Sequence, residues 1–300
     1  MYRKILIPLD GSKTAEKVLP YARHLAGKFK TAVELLAVID IAEIASHITP
    51  EKARHLDTFI AGGVSGSETY LGKIAQTFGG TVKCTVGKGR AGDAIIEHGM
   101  ADAATLITMA THGRSGLNRF LLGSVAEKVL RGTANPLLLV RATEEATGEG
   151  EAGFKTMIVP LDGSQLAESV LAPVAEIAKT LTVEVTLLRA YHIPYNAYAG
   201  DDGFYALNYD DLIGSVSDEA AAYLDKKVAE MKKLGVEKVS GLSQEGFAGD
   251  EIIALGKKTP AGLIAMSSHG RSGVQRFVLG SVTENVVRHT INPVLVVRAR

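Results

Sequence analysis

The chain of 300 residues has one cysteine, no tryptophan, few aromatic residues and no net charge. A single cysteine, Cys84, allows no intrachain disulfide and is too few for a structural zinc site, as expected of a reducing compartment. Cys84 stands in the alternating run Thr81-Val-Lys-Cys-Thr-Val86 and reads as a core or half-buried strand residue. Without tryptophan, and with aromatics at 6%, the core must come from Ala, Val, Leu and Ile, which the 46% hydrophobic content supplies. Lys+Arg and Asp+Glu both number 33, so no overall field favours nucleic acid or an anionic membrane. Residues 1–142 hold 18 bases against 12 acids, enough for a local phosphate-binding patch and too few for a DNA-wrapping surface. No run approaches the roughly 20 apolar residues of a membrane span, and the opening MYRKILIPLDGS has neither signal-peptide nor transit-peptide form. A soluble cytoplasmic protein is the expectation.

What is present is repetition. Lys4-Ile-Leu-Ile-Pro-Leu-Asp-Gly-Ser12 returns as Thr156-Met-Ile-Val-Pro-Leu-Asp-Gly-Ser164, and His112-Gly-Arg-Ser-Gly116 returns as His269-Gly-Arg-Ser-Gly273. Between residues 111–142 and 268–299, 21 of 32 positions are identical. The offset is 152 at Asp10/Asp162 and 157 at Gly113/Gly270, so the second copy holds five extra residues. A period this long means duplication of a domain, not a solenoid. Residues 143–154 are acidic, Gly-rich and almost free of large apolar side chains, as a linker should be. The boundaries follow: domain one at 1–142, linker at 143–154, domain two at 155–300.

Each copy reads as alternating strands and helices. In the first, strands are predicted at 4–9, 33–38, 81–86, 105–110 and 136–140, and helices at 13–29, 51–78, 91–100 and 124–131. Such alternation predicts an α/β fold with a parallel sheet covered on both faces. Ligands of open parallel sheets bind beyond the carboxyl ends of the strands, where strand order reverses. Asp10-Gly11-Ser12 leaves strand one, and Ala110-Thr-His-Gly113 leaves strand four. From Gly113 the chain passes Arg114 and reaches Gly123-Ser124 as a helix opens. Glycines there let backbone approach a ligand. Ser124 reads as a helix cap offering its hydroxyl to a phosphate, the helix mouth favours an anion, and Arg114 adds charge. The same parts recur at Gly270, Arg271, Gly280, Ser281 and Val282. Bulk added at Gly123 or Gly280 is expected to obstruct the phosphate.

The spacing Gly-9x-Gly-Ser, with Pro-x-Asp-Gly-Ser on the opening strand and Asn-Pro before the last, resembles the universal stress protein family in its tandem two-domain form, over nearly the whole chain. The resemblance implies two doubly wound domains, each a five-stranded parallel sheet of order 3-2-1-4-5, and an adenine-nucleotide site in each. It implies that Gly113, Gly123, Ser124 and the Val125 amide hold phosphates, that Pro8, Leu9 and Asp10 line the adenosine end, and that Val38 meets adenine. In the second copy it implies Pro160, Leu161, Asp162, Ala190, Gly270, Gly280, Ser281 and Val282. The first glycine of the family's motif is Ala110 in one copy and Ser267 in the other, each with a Cβ. The cofactor expected is ATP, ADP or AMP, with Mg²⁺ brought by the nucleotide rather than by protein ligands. The family's use of its last strand implies pairing of the two halves through Pro136–Val140 and Pro293–Val297, and a homodimer is a further option.

Other signals weigh less. Gly87-Lys-Gly-Arg-Ala-Gly92 spells a dinucleotide fingerprint, yet no acid follows at ribose distance and the repeat has Gln244 at the first glycine; it reads as a loop bordering the site. There is no Walker-type loop and no nucleophile elbow. Asp10 and Asp162 lie in separate domains, so they form no acid–base pair. His112 and His269 read as structural hydrogen-bonding residues. The Tyr-rich insertion 191–205 reads as a lid, an interface or a self-packed loop. Three functions stay open: a nucleotide-binding regulatory protein with slow or no turnover, a weak ATP hydrolase, and an interaction module with closed pockets.

Overall fold

A computed structural model describes residues 2–41, 56–112, 122–141, 150–192, 209–268 and 279–298. It forms two compact units, one made by the chain up to Gly153 together with Pro293–Arg298, the other by Phe154–Asn292. The first unit holds strands β1 (Lys4–Pro8), β2 (Ala32–Ile39), β3 (Val82–Lys88), β4 (Thr105–Ala110) and β5 (Leu137–Val140), with helices α1 (Lys13–Glu16), α2 (Leu19–Phe29), α3 (Leu56–Ala75), α4 (Ala91–Met100) and α5 (Ser124–Gly132). These strands lie parallel in the order β3-β2-β1-β4-β5. Strand β10 (Val294–Val297) lies antiparallel beside β5, with Leu138 opposite Leu295. The second unit repeats the plan with β6 (Thr156–Pro160), β7 (Glu184–Tyr191), β8 (Val239–Glu245) and β9 (Gly262–Ser267), parallel in the order β8-β7-β6-β9. Its helices are α6 (Gln165–Glu168), α7 (Leu171–Leu181), α8 (Tyr209–Lys233), α9 (Ala248–Lys258) and α10 (Ser281–His289).

Burial explains the architecture. Successive side chains of a strand point to opposite faces. All six residues of β4 and all six of β9 are buried, so both faces of the sheet are covered at those strands. The helices bury apolar stripes of helical spacing, as Ala126, Val129 and Leu130 do on α5. Gly99 of α4 lets that helix sit close to β4: a Cβ there would lie 2.7 Å from Ile107 Cδ1.

Two local readings change. The helix expected over 13–29 is split, because Pro20 occupies the first turn of α2 and so marks a new start. Cys84 is exposed, since β3 pairs only with β2 among the described strands and forms the edge of its sheet. An alternating pattern does not distinguish an edge strand from a central one.

The Asn-Pro pair before the last strand has a structural task. Buried Asn135 donates from Nδ2 to the carbonyls of Asp102 (2.9 Å) and Thr105 (3.2 Å), tying the entry of β4 to the entry of β5. Asn292 repeats the bond to the carbonyl of Gly262 at 3.2 Å. Asn135→Ala removes the side-chain donor from the buried Thr105 carbonyl, while the Asp102 carbonyl keeps the Thr105 amide, and is expected to cost about 1–2 kcal/mol. The midpoint of urea unfolding measures it; an unchanged midpoint would refute this role.

Candidate functional site

Strand order reverses between β1 and β4: the chain passes from β1 outward to β2 and β3, then returns to β4 on the other side of β1. The crevice beyond these strand ends is a cavity of about 1190 Å³. Pro8, Leu9 and Asp10 reach it from β1, Val38 from β2, Ala110 from β4, and Gly123, Ser124 and Val125 from the head of α5. The sequence-predicted residues of the first copy that are described therefore meet around one space. Gly113 and Arg114 lie outside the described residues, as do Gly270, Arg271 and His269 in the second copy. Of the insertion 191–205, only Tyr191 and His192 are described.

Asp10 shapes its own turn. Its Oδ1 accepts from the backbone N–H of Ser12 at 2.9 Å and from the Ser12 hydroxyl at 2.6 Å. Ser12 in turn caps α1 by accepting from the Ala15 amide at 3.1 Å. Asp162, Ser164 and Ala167 repeat this arrangement at 2.9, 2.7 and 3.1 Å. The shared Pro-x-Asp-Gly-Ser sequence is thus a strand-to-helix turn that places one carboxylate at each crevice.

The head of α5 differs from the head of α1. The cap is Gly123, extended at φ −62° and ψ 146°, which has no side chain to bond the first amides. Ser124 is the first helical residue rather than the cap expected of it, because a bond from the Gly123 amide to the Thr111 carbonyl (2.9 Å) fixes the preceding residue outside the helix. The amides of Ser124, Val125 and Ala126 have no acceptor four residues back within the helix, and those three residues face the cavity. Gly123 also behaves differently from expectation. A Cβ there would lie 3.0 Å from the Thr111 carbonyl oxygen, so the added bulk meets strand-end backbone first, not the open crevice.

The rest of the wall has two characters. Near α5 stand Arg90, Lys128 and His112. Lys128 Nζ reaches Asp93 at 2.7 Å, and His112 Nδ1 lies 3.0 Å from the Thr111 hydroxyl. Burial, then the charge of Arg141, lowers the His112 pKa, which favours the neutral ring. Beyond β1 and β2 the wall is apolar and aromatic: Leu36, Ala37, Ile39, Phe59 and Tyr70, with Gly63 and Gly66 on α3 between the two rings. A Cβ at Gly66 would meet no atom within 4 Å, so this glycine borders open space. Lys128, Phe59 and Tyr70 carry no motif that marks them for the site, and Arg90 is marked only by its loop. Arg90 lies within the Gly87–Gly92 motif, which does border the cavity.

The second unit has a smaller cavity of about 240 Å³, lined by Pro160, Leu161, Asp162, Ala190, Ser267, Gly280, Ser281 and Val282 among others. Gly280 caps α10 as Gly123 caps α5, again without a side-chain bond. Its amide donates to the Ser268 carbonyl at 2.9 Å.

Comparison with known proteins agrees with the duplication. The profile of the universal stress protein family matches residues 1–141 and again residues 153–298. The chain belongs to this family. A universal stress protein of Methanocaldococcus jannaschii, MJ0531, is 28% identical over 141 residues, spanning 47% of this chain and 83% of the relative. A universal stress protein of Mycolicibacterium smegmatis is 22% identical over 307 residues, spanning 99% of this chain and 97% of that one. Among solved structures, a universal stress protein from Archaeoglobus fulgidus covers 100% of both chains at a TM-score of 0.68 and 19% identity, a likeness of fold. The tandem, doubly wound α/β architecture is therefore that of two universal stress protein domains. No helix among the described residues is long and apolar enough to cross a membrane.

Proposed function

We propose that this universal stress protein binds an adenine nucleotide in the crevice of its first unit and acts as a nucleotide-responsive regulator with slow or no turnover. One observation supports this above the others: the glycine-capped head of α5 opens onto a cavity whose far end is apolar and aromatic. Uncapped amides at the positive end of a helix suit phosphate oxygens. Arg90 adds positive charge at the same end, and Lys128 stands there paired with Asp93. Ala37, Val38 and Ile39 with Phe59 and Tyr70 form a slot of the kind that takes a flat aromatic base, and Asp10 lies beside it as an acceptor for ribose or an exocyclic amine. Mg²⁺ would be held by the nucleotide's own phosphates, since no group of three His, Cys, Asp or Glu with metal-binding spacing occurs among the described residues.

Slow turnover follows from the groups at hand. The Oδ1 of Asp10 is engaged by Ser12, and the ring nitrogen of His112 that does not face Thr111, Nε2, is buried away from solvent. Neither is set as a dedicated base for water. The test is mass spectrometry of small molecules released from the purified full chain, with calorimetric titration of ATP. An adenine nucleotide in the released fraction, or a saturable titration, is the expected result. A sample that releases none and takes up none would refute the proposal.

A further inference from the structure

The two crevices share their strand ends and helix heads but differ in the recess between β2 and α3. In the first unit that recess is made by absence of side chain: Ala37, Gly63 and Gly66. The matching positions of the second copy are Arg189, Val216 and Glu219. The register rests on two equivalences. The Tyr70 hydroxyl reaches Glu16 at 3.2 Å as the Tyr223 hydroxyl reaches Glu168 at 2.8 Å, and Leu71 and Leu224 are both buried.

Arg189 takes up the room. Its side chain is only 13% exposed, and Nη2 lies 3.8 Å from Glu219. Its guanidinium carbon stands 4.6 Å from the centre of the Tyr223 ring, a cation–π geometry. Tyr223 is held in turn by Glu168, which also accepts from Lys227 at 2.8 Å. Five residues of α3 line the first cavity, whereas no described residue of α8 lines the second. The phosphate end differs independently. Where the first copy has Arg90 and Lys128, the second has Phe247 and Asn285.

We propose that the two repeats have diverged in ligand capacity, so that the first takes the nucleotide while Arg189 closes the base recess of the second, and the chain holds one nucleotide rather than two. This rests on the nucleotide reading given above. The second unit keeps the fold and the helix head but, among its described residues, lacks both the slot for a base and the cations that stand at Arg90 and Lys128 in the first. Its side chains already form the stacked, charged contact that a bound base would otherwise make.

Titration of the full chain with ATP, with native mass spectrometry to count bound ligand, tests this. One equivalent per chain is expected, falling to none in Ser124→Asp. Two equivalents in the natural protein, or one surviving in Ser124→Asp, would overturn the division between repeats while leaving nucleotide binding intact. No binding at all would instead overturn the nucleotide reading. The triple variant Arg189→Ala, Glu219→Gly, Phe247→Arg is expected to gain a second equivalent. If that variant keeps the natural thermal transition yet still binds one, Arg189 is not the closing element.

Discussion

Ser124→Asp should abolish nucleotide binding by the first unit without weakening the fold. The substitution adds a carboxylate at the first position of α5, beside the amides proposed to hold phosphate. Two unit charges about 4 Å apart interact by roughly 4 kcal/mol near a protein surface. A loss of about a hundredfold in ATP affinity is therefore a conservative expectation. The same charge is favourable for the helix, because an acid in the first turn complements the macrodipole by about 0.3–1 kcal/mol. Ser124 is exposed and makes no hydrogen bond among the described residues, so nothing in the packing opposes the change. Affinity should fall while the thermal midpoint holds or rises. Ser124→Ala, which removes one neutral contact, should weaken binding only about two- to tenfold. These variants separate a phosphate site from a structural turn better than Gly123→Val, whose Cβ would press on the Thr111 carbonyl and disturb the strand end directly. Unchanged ATP affinity in Ser124→Asp would place the phosphates elsewhere.

Much of this arrangement is legible in the sequence, for physical reasons. A run such as Leu137-Leu-Leu-Val140 suits a strand buried on both sides, and β5 is one. Duplication doubles each local signal, so Asp10-Gly-Ser and Gly123-Ser124 can be placed at strand ends and helix heads from the sequence alone. What escapes is side-chain direction. Ser124 has every mark of a cap, yet one backbone bond from Gly123 moves the cap by a residue. Arg90 sits in a segment that resembles a dinucleotide loop and only folding brings it to the crevice of β1. Aligning the repeats sets Ala37 against Arg189, but that pairing has meaning only once β2 and α3 are known to face each other across the recess. Cys84 alternates like a core residue because alternation reports strand, not depth in the sheet.

The same kind of asymmetry governs stability toward acid. Glu34 on β2 is 3% exposed, with Lys4 Nζ at 2.7 Å and the Thr85 hydroxyl at 2.9 Å. His98 Nδ1 lies 3.3 Å away and Lys83 Nζ 3.5 Å away. Burial by itself raises the pKa of this carboxyl; the hydrogen bonds from Lys4 and Thr85, with the charges of Lys4 and Lys83, outweigh that and hold it at about 2. The folded value thus lies below the ordinary 4.5. The stabilisation is complete above the ordinary value and is lost as pH falls from there toward 2. A shift of this size corresponds to about 3 kcal/mol. Glu34→Gln should therefore lower stability by about 3 kcal/mol at pH 7, and its deficit should shrink below the ordinary value of 4.5, where the carboxyl of the unfolded chain takes up a proton that the folded one does not. Urea unfolding at pH 7 and at pH 3 measures both arms; parallel losses at the two pH values would refute the linkage. The second repeat has Thr156 and Thr186 in place of Lys4 and Glu34, so acid should loosen the first unit by a route the second lacks. Hydrogen exchange at pH 3 would then rise first in β1 and β2, the strands whose ends form the larger crevice.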